Sequence, residues 1–286
     1  MFTKVDSIQY IQLQNNLQIA YSETGHEHKE CILFIHGLAN YAGVWHWNIH
    51  HLKSKYRCIA IDLPGNGHSS RGDYPYTMPF YVFIIREFIK AMKLGKVHIM
   101  GHSMGGQIAL HTAIHHGDEI GKLILSAPAG FEYYSPSDAS LFKSAIALGN
   151  FLAMDEVQIA QSINTSFYAH PQIVKKIISD LQEIIAKNDR GQYRKMLENS
   201  IHSMLDEQVF QHLREIKNPV LCFFGENDQL IPNRFLHPQS PHEIGERACK
   251  EIANAQLITY PKTGHFVHIE QANEVNKEVL KFLGEG

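Results

Sequence analysis

The chain has 286 residues, 44% of them hydrophobic and 19% charged, which is ordinary for a globular protein able to bury a sizeable core as one large domain or two unequal ones. A formal net charge of −3 at pH 7 excludes nucleic acid or an anionic membrane surface as an electrostatically driven main partner and leaves a small neutral molecule as the easier substrate. The opening Met1-Phe2-Thr3-Lys4-Val5-Asp6-Ser7 lacks the apolar run of a signal peptide, and no later run approaches about eighteen uninterrupted apolar residues. A cytoplasmic protein without stable membrane insertion is therefore expected, and a homodimer is allowed.

Near the N-terminus Leu17, Ile19 and Tyr21 alternate with polar residues, the period of a half-exposed strand in an antiparallel opening ribbon. The pattern then changes to short, mostly apolar runs at 31–35, 58–61, 97–100, 123–125, 220–224 and 257–260, as parallel strands covered on both faces require. Helical patterns at about 42–54, 79–94, 104–117, 241–254 and 267–283 lie between them, an alternation that specifies a doubly wound sheet. Its site belongs at the carboxyl ends of the strands. Residues 131–212 interrupt the alternation with about four consecutive helices and no strand; Ile173, Ile177, Ile178, Leu181, Ile184 and Ile185 show the helical spacing. We therefore expect a core from 1–130 and 213–286 and a helical cap from 131–212.

Cys31, Cys58 and Cys222 sit in apolar runs and Cys249 in a helical pattern, without Cys-x-x-Cys spacing, so all four read as reduced small hydrophobes. Among the 19 histidines, the spacings His46/His50 and His111/His115 place imidazoles on one helix face, but no Glu or Cys completes a zinc site and both pairs read as polar helix surface. Neither a metal nor a cofactor is expected.

Immediately after the run at 97–100 comes Gly101-His102-Ser103-Met104-Gly105-Gly106, a G-x-S-x-G motif between a strand and a helix. Such a turn forces its serine into strained backbone geometry, and side chains two residues to either side would collide, hence the glycines at 101 and 105. A serine hydroxyl needs a base, which histidine supplies because its ordinary pKa lies near neutrality. His265 qualifies: Thr263-Gly264-His265-Phe266 follows the last strand and precedes the last helix, whereas His102 is tied to the elbow and His268 falls in the helix. The base needs an acceptor to fix its tautomer, and Asp228 in Gly225-Glu226-Asn227-Asp228 follows the strand at 220–224, with Glu226 as the alternative. Main-chain donors for an oxyanion are expected at Met104, in the elbow, and at Leu38, in the turn Phe34-Ile35-His36-Gly37-Leu38; His36 and Gly37 serve turn geometry.

With the chain order Ser103, Asp228, His265, the sequence resembles the α/β-hydrolase superfamily over nearly its whole length. Asp62-Leu63-Pro64-Gly65-Asn66-Gly67-His68-Ser69 is similar to that family's turn after the next core strand and reads as structural. The helical insert between the sixth and seventh strands matches the position of the family's cap, which implies a lid and pocket wall over Ser103. The resemblance implies a serine hydrolase with an acyl-serine intermediate; aspartate-nucleophile dehalogenases and epoxide hydrolases do not fit a serine elbow. A carboxylic ester of small or medium, largely apolar acyl group is the leading substrate class, given a cap rich in Phe, Leu, Ile and Ala. A carbon–carbon hydrolase of the meta-cleavage-product type is the alternative, with Arg190 or Arg194 available for a substrate carboxylate. His102, Phe266 and Gly37-Leu38-Ala39-Asn40 depart from that group's usual residues. A binding protein that keeps the pocket without turnover is the third reading.

Overall fold

The computed structural model describes residues 8–148, 156–187 and 189–284. The opening ribbon forms as expected: β1 (Gln9–Gln12) pairs antiparallel with β2 (Gln18–Thr24), Ile11 opposite Ile19. β2 is less exposed than its alternation suggests. It also pairs antiparallel with β4 (Arg57–Ile61), so Ile19, Ala20 and Tyr21 are all buried.

The remaining strands, β3 (Cys31–Ile35), β5 (Val97–His102), β6 (Ile120–Ser126), β7 (Val220–Gly225) and β8 (Ala255–Tyr260), complete an eight-stranded sheet of order β1-β2-β4-β3-β5-β6-β7-β8. From β4 to β8 all pairings are parallel. Every residue of β3 and β7 is buried, which is why these strands read as unbroken apolar runs. The register aligns Ile35 with Gly101, His102 with Ser126, Ser126 with Phe223, and Gly225 with Tyr260. The carboxyl ends of the six parallel strands thereby open onto one edge, as a doubly wound sheet requires of its ligand site.

Helices α1 (His46–Leu52), α2 (Met78–Ala91), α3 (Met104–His116), α8 (Pro241–Glu251), α9 (Val267–Glu270) and α10 (Ala272–Leu283) cover the sheet. The helix expected over 42–54 begins as a 3₁₀ turn, Ala42–Trp45, and the one expected over 267–283 breaks at Gln271 into α9 and α10. α10 buries Val275, Val279 and Leu283 and ends on Gly284, whose φ of 107° lets its N–H close onto the Leu280 carbonyl at 3.1 Å. α8 starts with a capping box between Ser240 and Glu243.

Among the described residues four helices stand between β6 and β7: α4 (Pro136–Leu148), α5 (Glu156–Thr165), α6 (Ile173–Ala186) and α7 (Arg190–Asp206). In α6 the predicted apolar positions Ile173, Ile177, Leu181, Ile184 and Ile185 are buried, while Ile178 is half-buried against the core. The chain then returns to β7 through the 3₁₀ segment Phe210–Glu215.

Two minor expectations change. α3 lies inside the molecule, burying ten consecutive residues from Met104 to Ala113, so His111 is not surface: its Nε2 donates to the Glu207 carbonyl at 2.8 Å, and burial lowers it to about 4. His115, four residues on, is exposed. Cys31, Cys58 and Cys222 are buried as expected, whereas Cys249 is half-buried with its thiol against Cys222.

Candidate active site

β5 ends by turning sharply into α3, and Ser103 sits at the turn with φ 52° and ψ −119°, a region that L-residues rarely occupy. The neighbours hold it there. The Ser103 N–H donates to the Ser126 carbonyl at 3.1 Å, while its own carbonyl accepts from Gly106, Gln107 and Ala129 at 2.8, 3.2 and 3.0 Å. A Cβ at Gly101 would lie 2.5 Å from the Gly105 carbonyl oxygen, and one at Gly105 would lie 2.3 Å from that of Ile35. Both glycines are thus demanded by close backbone approach, as the motif implies.

His265 and Asp228 meet beside this turn. His265 Nδ1 donates to Asp228 Oδ2 at 2.8 Å, with side-chain exposures of 4% and 0%, so this contact is shielded from water. The other carboxylate oxygen accepts from the Leu230 and Ile231 amides at 2.8 and 3.1 Å, which occupies both oxygens of Asp228 and fixes its plane. With Nδ1 engaged as donor, Nε2 is the basic nitrogen of the neutral ring. Glu226 lies elsewhere: it is exposed and accepts from the Thr259 hydroxyl at 3.4 Å. Ser103 Oγ makes no hydrogen bond to another described residue; such bonds commonly tighten only around a substrate.

The turn after β3 faces the elbow. A Cβ on Gly37 would stand 3.0 Å from Ser103 Cβ, which brings Leu38 alongside the serine. The amides of Leu38 and Met104 donate to no other described residue. His36 is buried and bridges two loops, Nδ1 donating to the Gly37 carbonyl at 2.7 Å and Nε2 accepting from the Leu63 amide at 3.0 Å. Burial holds it below its ordinary pKa, so it stays neutral and positions the turn. Asp62 does comparable work, accepting from the Ala42 and His68 amides, each at 2.7 Å.

Several residues of the site carry no signal that a sequence pattern reveals. His102 packs its ring 4.7 Å from that of His265 and 4.6 Å from that of His268, and its Nε2 donates to the His265 carbonyl at 3.1 Å. Burial and neighbouring imidazoles push His102 well below its ordinary pKa, and burial does the same to His268. Both are therefore neutral supports. The segment after α5 also reaches the site: the His265 N–H donates to the Ser166 carbonyl at 2.8 Å, and the Phe167 and Phe266 rings stack 4.5 Å apart within 2° of parallel. Arg190 and Arg194, by contrast, are exposed on α7, whose buried face is Tyr193, Met196, Leu197 and Ser200.

Among the described residues no group of three or more His, Cys, Asp or Glu side chains is arranged to hold a metal ion, and no helix is long and apolar enough to cross a membrane.

Comparison with known proteins places these features in a wider set. A family model described as alpha/beta hydrolase fold matches residues 30–272. Monoacylglycerol lipase ABHD6 of Homo sapiens is 23% identical over an alignment covering 96% of this chain and 82% of that protein. The 2-hydroxy-6-oxononadienedioate/2-hydroxy-6-oxononatrienedioate hydrolase of Burkholderia vietnamiensis is 25% identical, over 93% of this chain and 91% of that one. Among solved structures, an esterase from Exiguobacterium antarcticum superposes with a TM-score of 0.80 at 20% identity, covering 96% of this chain and 98% of its own.

Proposed function

Since the chain belongs to the alpha/beta hydrolase fold family, we propose that it is a serine hydrolase cleaving small or medium, largely apolar carboxylic esters through an acyl-Ser103 intermediate. The observation that carries this reading is the buried Asp228–His265 contact at 2.8 Å beside a serine held at φ 52°. In it, His265 Nε2 takes the proton from Ser103 Oγ as that oxygen bonds to the ester carbonyl carbon. The carbonyl oxygen becomes an oxyanion facing the Leu38 and Met104 N–H groups, donors that strengthen as charge develops and are worth roughly 3 kcal/mol each. Asp228 holds the imidazole by its Nδ1–H and stabilises the imidazolium. Collapse breaks the ester C–O bond, and the imidazolium returns its proton to the departing alkoxide, giving the alcohol. Water then attacks the acyl-serine while His265 takes its proton, releasing the carboxylic acid and restoring the Ser103 hydroxyl. The four-helix insertion serves in this reading as the cap over Ser103, and its apolar faces favour an apolar acyl group.

The carbon–carbon hydrolase reading has the support of the Burkholderia vietnamiensis relative, which is named for that activity. The exposure of Arg190 and Arg194 and the presence of His102 beside Ser103 speak against it. A p-nitrophenyl ester series from acetate to palmitate, run beside a meta-cleavage dienoate on wild type and Ser103→Ala, separates the two. Chain-length-dependent ester hydrolysis lost in Ser103→Ala is expected. Dienoate cleavage with silent esters would favour the alternative, and ligand-induced stabilisation without any turnover would favour a binding protein.

A further inference from the structure

Five residues beyond His265, Glu270 closes α9, and among the described residues its carboxylate forms no ion pair, although the His170 imidazole is near enough to favour its charge. It collects backbone amides instead. Glu270 Oε1 accepts from the Gly264 N–H at 2.7 Å, and Oε2 accepts from the Tyr168 and Ala169 N–H groups at 3.1 and 2.7 Å. Gly264 immediately precedes His265; Tyr168 and Ala169 lie between α5 and α6. One side chain therefore touches two loops separated by about a hundred residues of chain, on either side of the His265–Ser166 backbone bond. The loops are packed backbone to backbone: a Cβ on Gly264 would lie 2.6 Å from the Ser166 carbonyl oxygen and 2.7 Å from the Tyr168 nitrogen.

We propose that Glu270 is a positioning residue for His265, its carboxylate fastening the loop that carries the imidazole to the helical insertion, so that the placement of the base depends on the insertion. The inference rests on the reading of His265 as general base. Among the described residues no group other than Glu270 holds the amides of Gly264, Tyr168 and Ala169, and the consecutive amides of Gly264 and His265 are both satisfied from outside the sheet. Burial raises the Glu270 carboxyl above its ordinary range even though the three amides pull it down. A raised folded-state value means that ionising Glu270 costs the fold stability as pH rises past its unfolded value.

The test compares wild type, Glu270→Gln, Glu270→Asp and Ser103→Ala on one p-nitrophenyl ester, with amide hydrogen exchange on each. Glutamine keeps one acceptor oxygen and puts an NH2 group against the remaining amides. Loosening a catalytic group by about 1 Å costs about 100-fold, so a fall in kcat of about 10- to 100-fold with KM within about threefold is expected for Glu270→Gln. Exchange should rise together in 164–170 and 262–266 while the protein stays folded at the assay temperature, and Glu270→Asp should recover part of the loss. Wild-type kcat in Glu270→Gln, or a loss fully accounted for by unfolded protein, would overturn the proposal. If Glu270→Gln does not fold, the kcat and KM of Glu270→Asp decide in the same way. Undiminished turnover by Ser103→Ala would instead overturn the serine-hydrolase reading, while the paired exchange still reports whether Glu270 joins the two loops.

Discussion

Six consecutive residues, Gly101 to Gly106, build the Ser103 turn, whose geometry follows from contacts within the turn and with the strand ends beside it. The His265 loop is assembled from far apart: Asp228 stands 37 residues away, and Ser166 reaches in from the helical insertion. The position of Ser103 is a steric property of a short sequence, while that of His265 is a tertiary property of the fold. Substitutions around Ser103 should act through local sterics, and those around His265 through contacts made far along the chain.

The largest effect should come from Ser103→Ala, with kcat lower by about 10⁵-fold or more on any ester the wild type turns over. Residual turnover near wild type would place the chemistry elsewhere. Asp228→Asn should leave the fold intact and reduce kcat by about 10⁴-fold, because the amide allows the other imidazole tautomer; a change in KM alone would contradict the role assigned to Asp228. On the elbow side, Gly105→Ala places a Cβ 2.3 Å from the Ile35 carbonyl oxygen. Overpacking of this kind costs about 1–3 kcal/mol, read as a lower urea midpoint, and a variant as stable as wild type would show that the turn is looser than its contacts imply.

A smaller, distributed effect concerns pH. His36, His102, His111 and His268 are neutral in the fold, with pKa values lowered from the ordinary 6.5 by burial. As pH falls below 6.5 the unfolded chain takes up these protons before the folded one does, so unfolding gains protons and stability drops. Stability is therefore complete above pH 6.5 and is lost progressively toward about 4 for His111. Tm should fall between pH 7.5 and 5, and His111→Gln should flatten that slope; a Tm that is level or rises on acidification would contradict the buried, neutral state of these rings.

How much of this was legible in the sequence follows the same division. β3 and β7, buried on both faces, appear as unbroken apolar runs, and the glycines at 101 and 105 announce the elbow because only local sterics are involved. His265 and Asp228 could be picked out by their places just after strands, even though nothing local shows that they touch. The burial of His111 is invisible in the sequence because the spacing of a histidine pair says nothing about what packs on α3, where the Glu207 carbonyl arrives from 96 residues away. Glu270 carried no motif at all. The one trace it leaves is a carboxylate closing the otherwise uncharged run Phe266-Val267-His268-Ile269, and its amide partners lie about a hundred positions earlier. The break between α9 and α10 was hidden because both halves keep an apolar face.

The most direct test is active-site labelling with a fluorophosphonate followed by peptide mass analysis. The account predicts one adduct, on Ser103, absent in Ser103→Ala and formed far more slowly in Asp228→Asn. An adduct on another residue, or none from a folded protein, would contradict it.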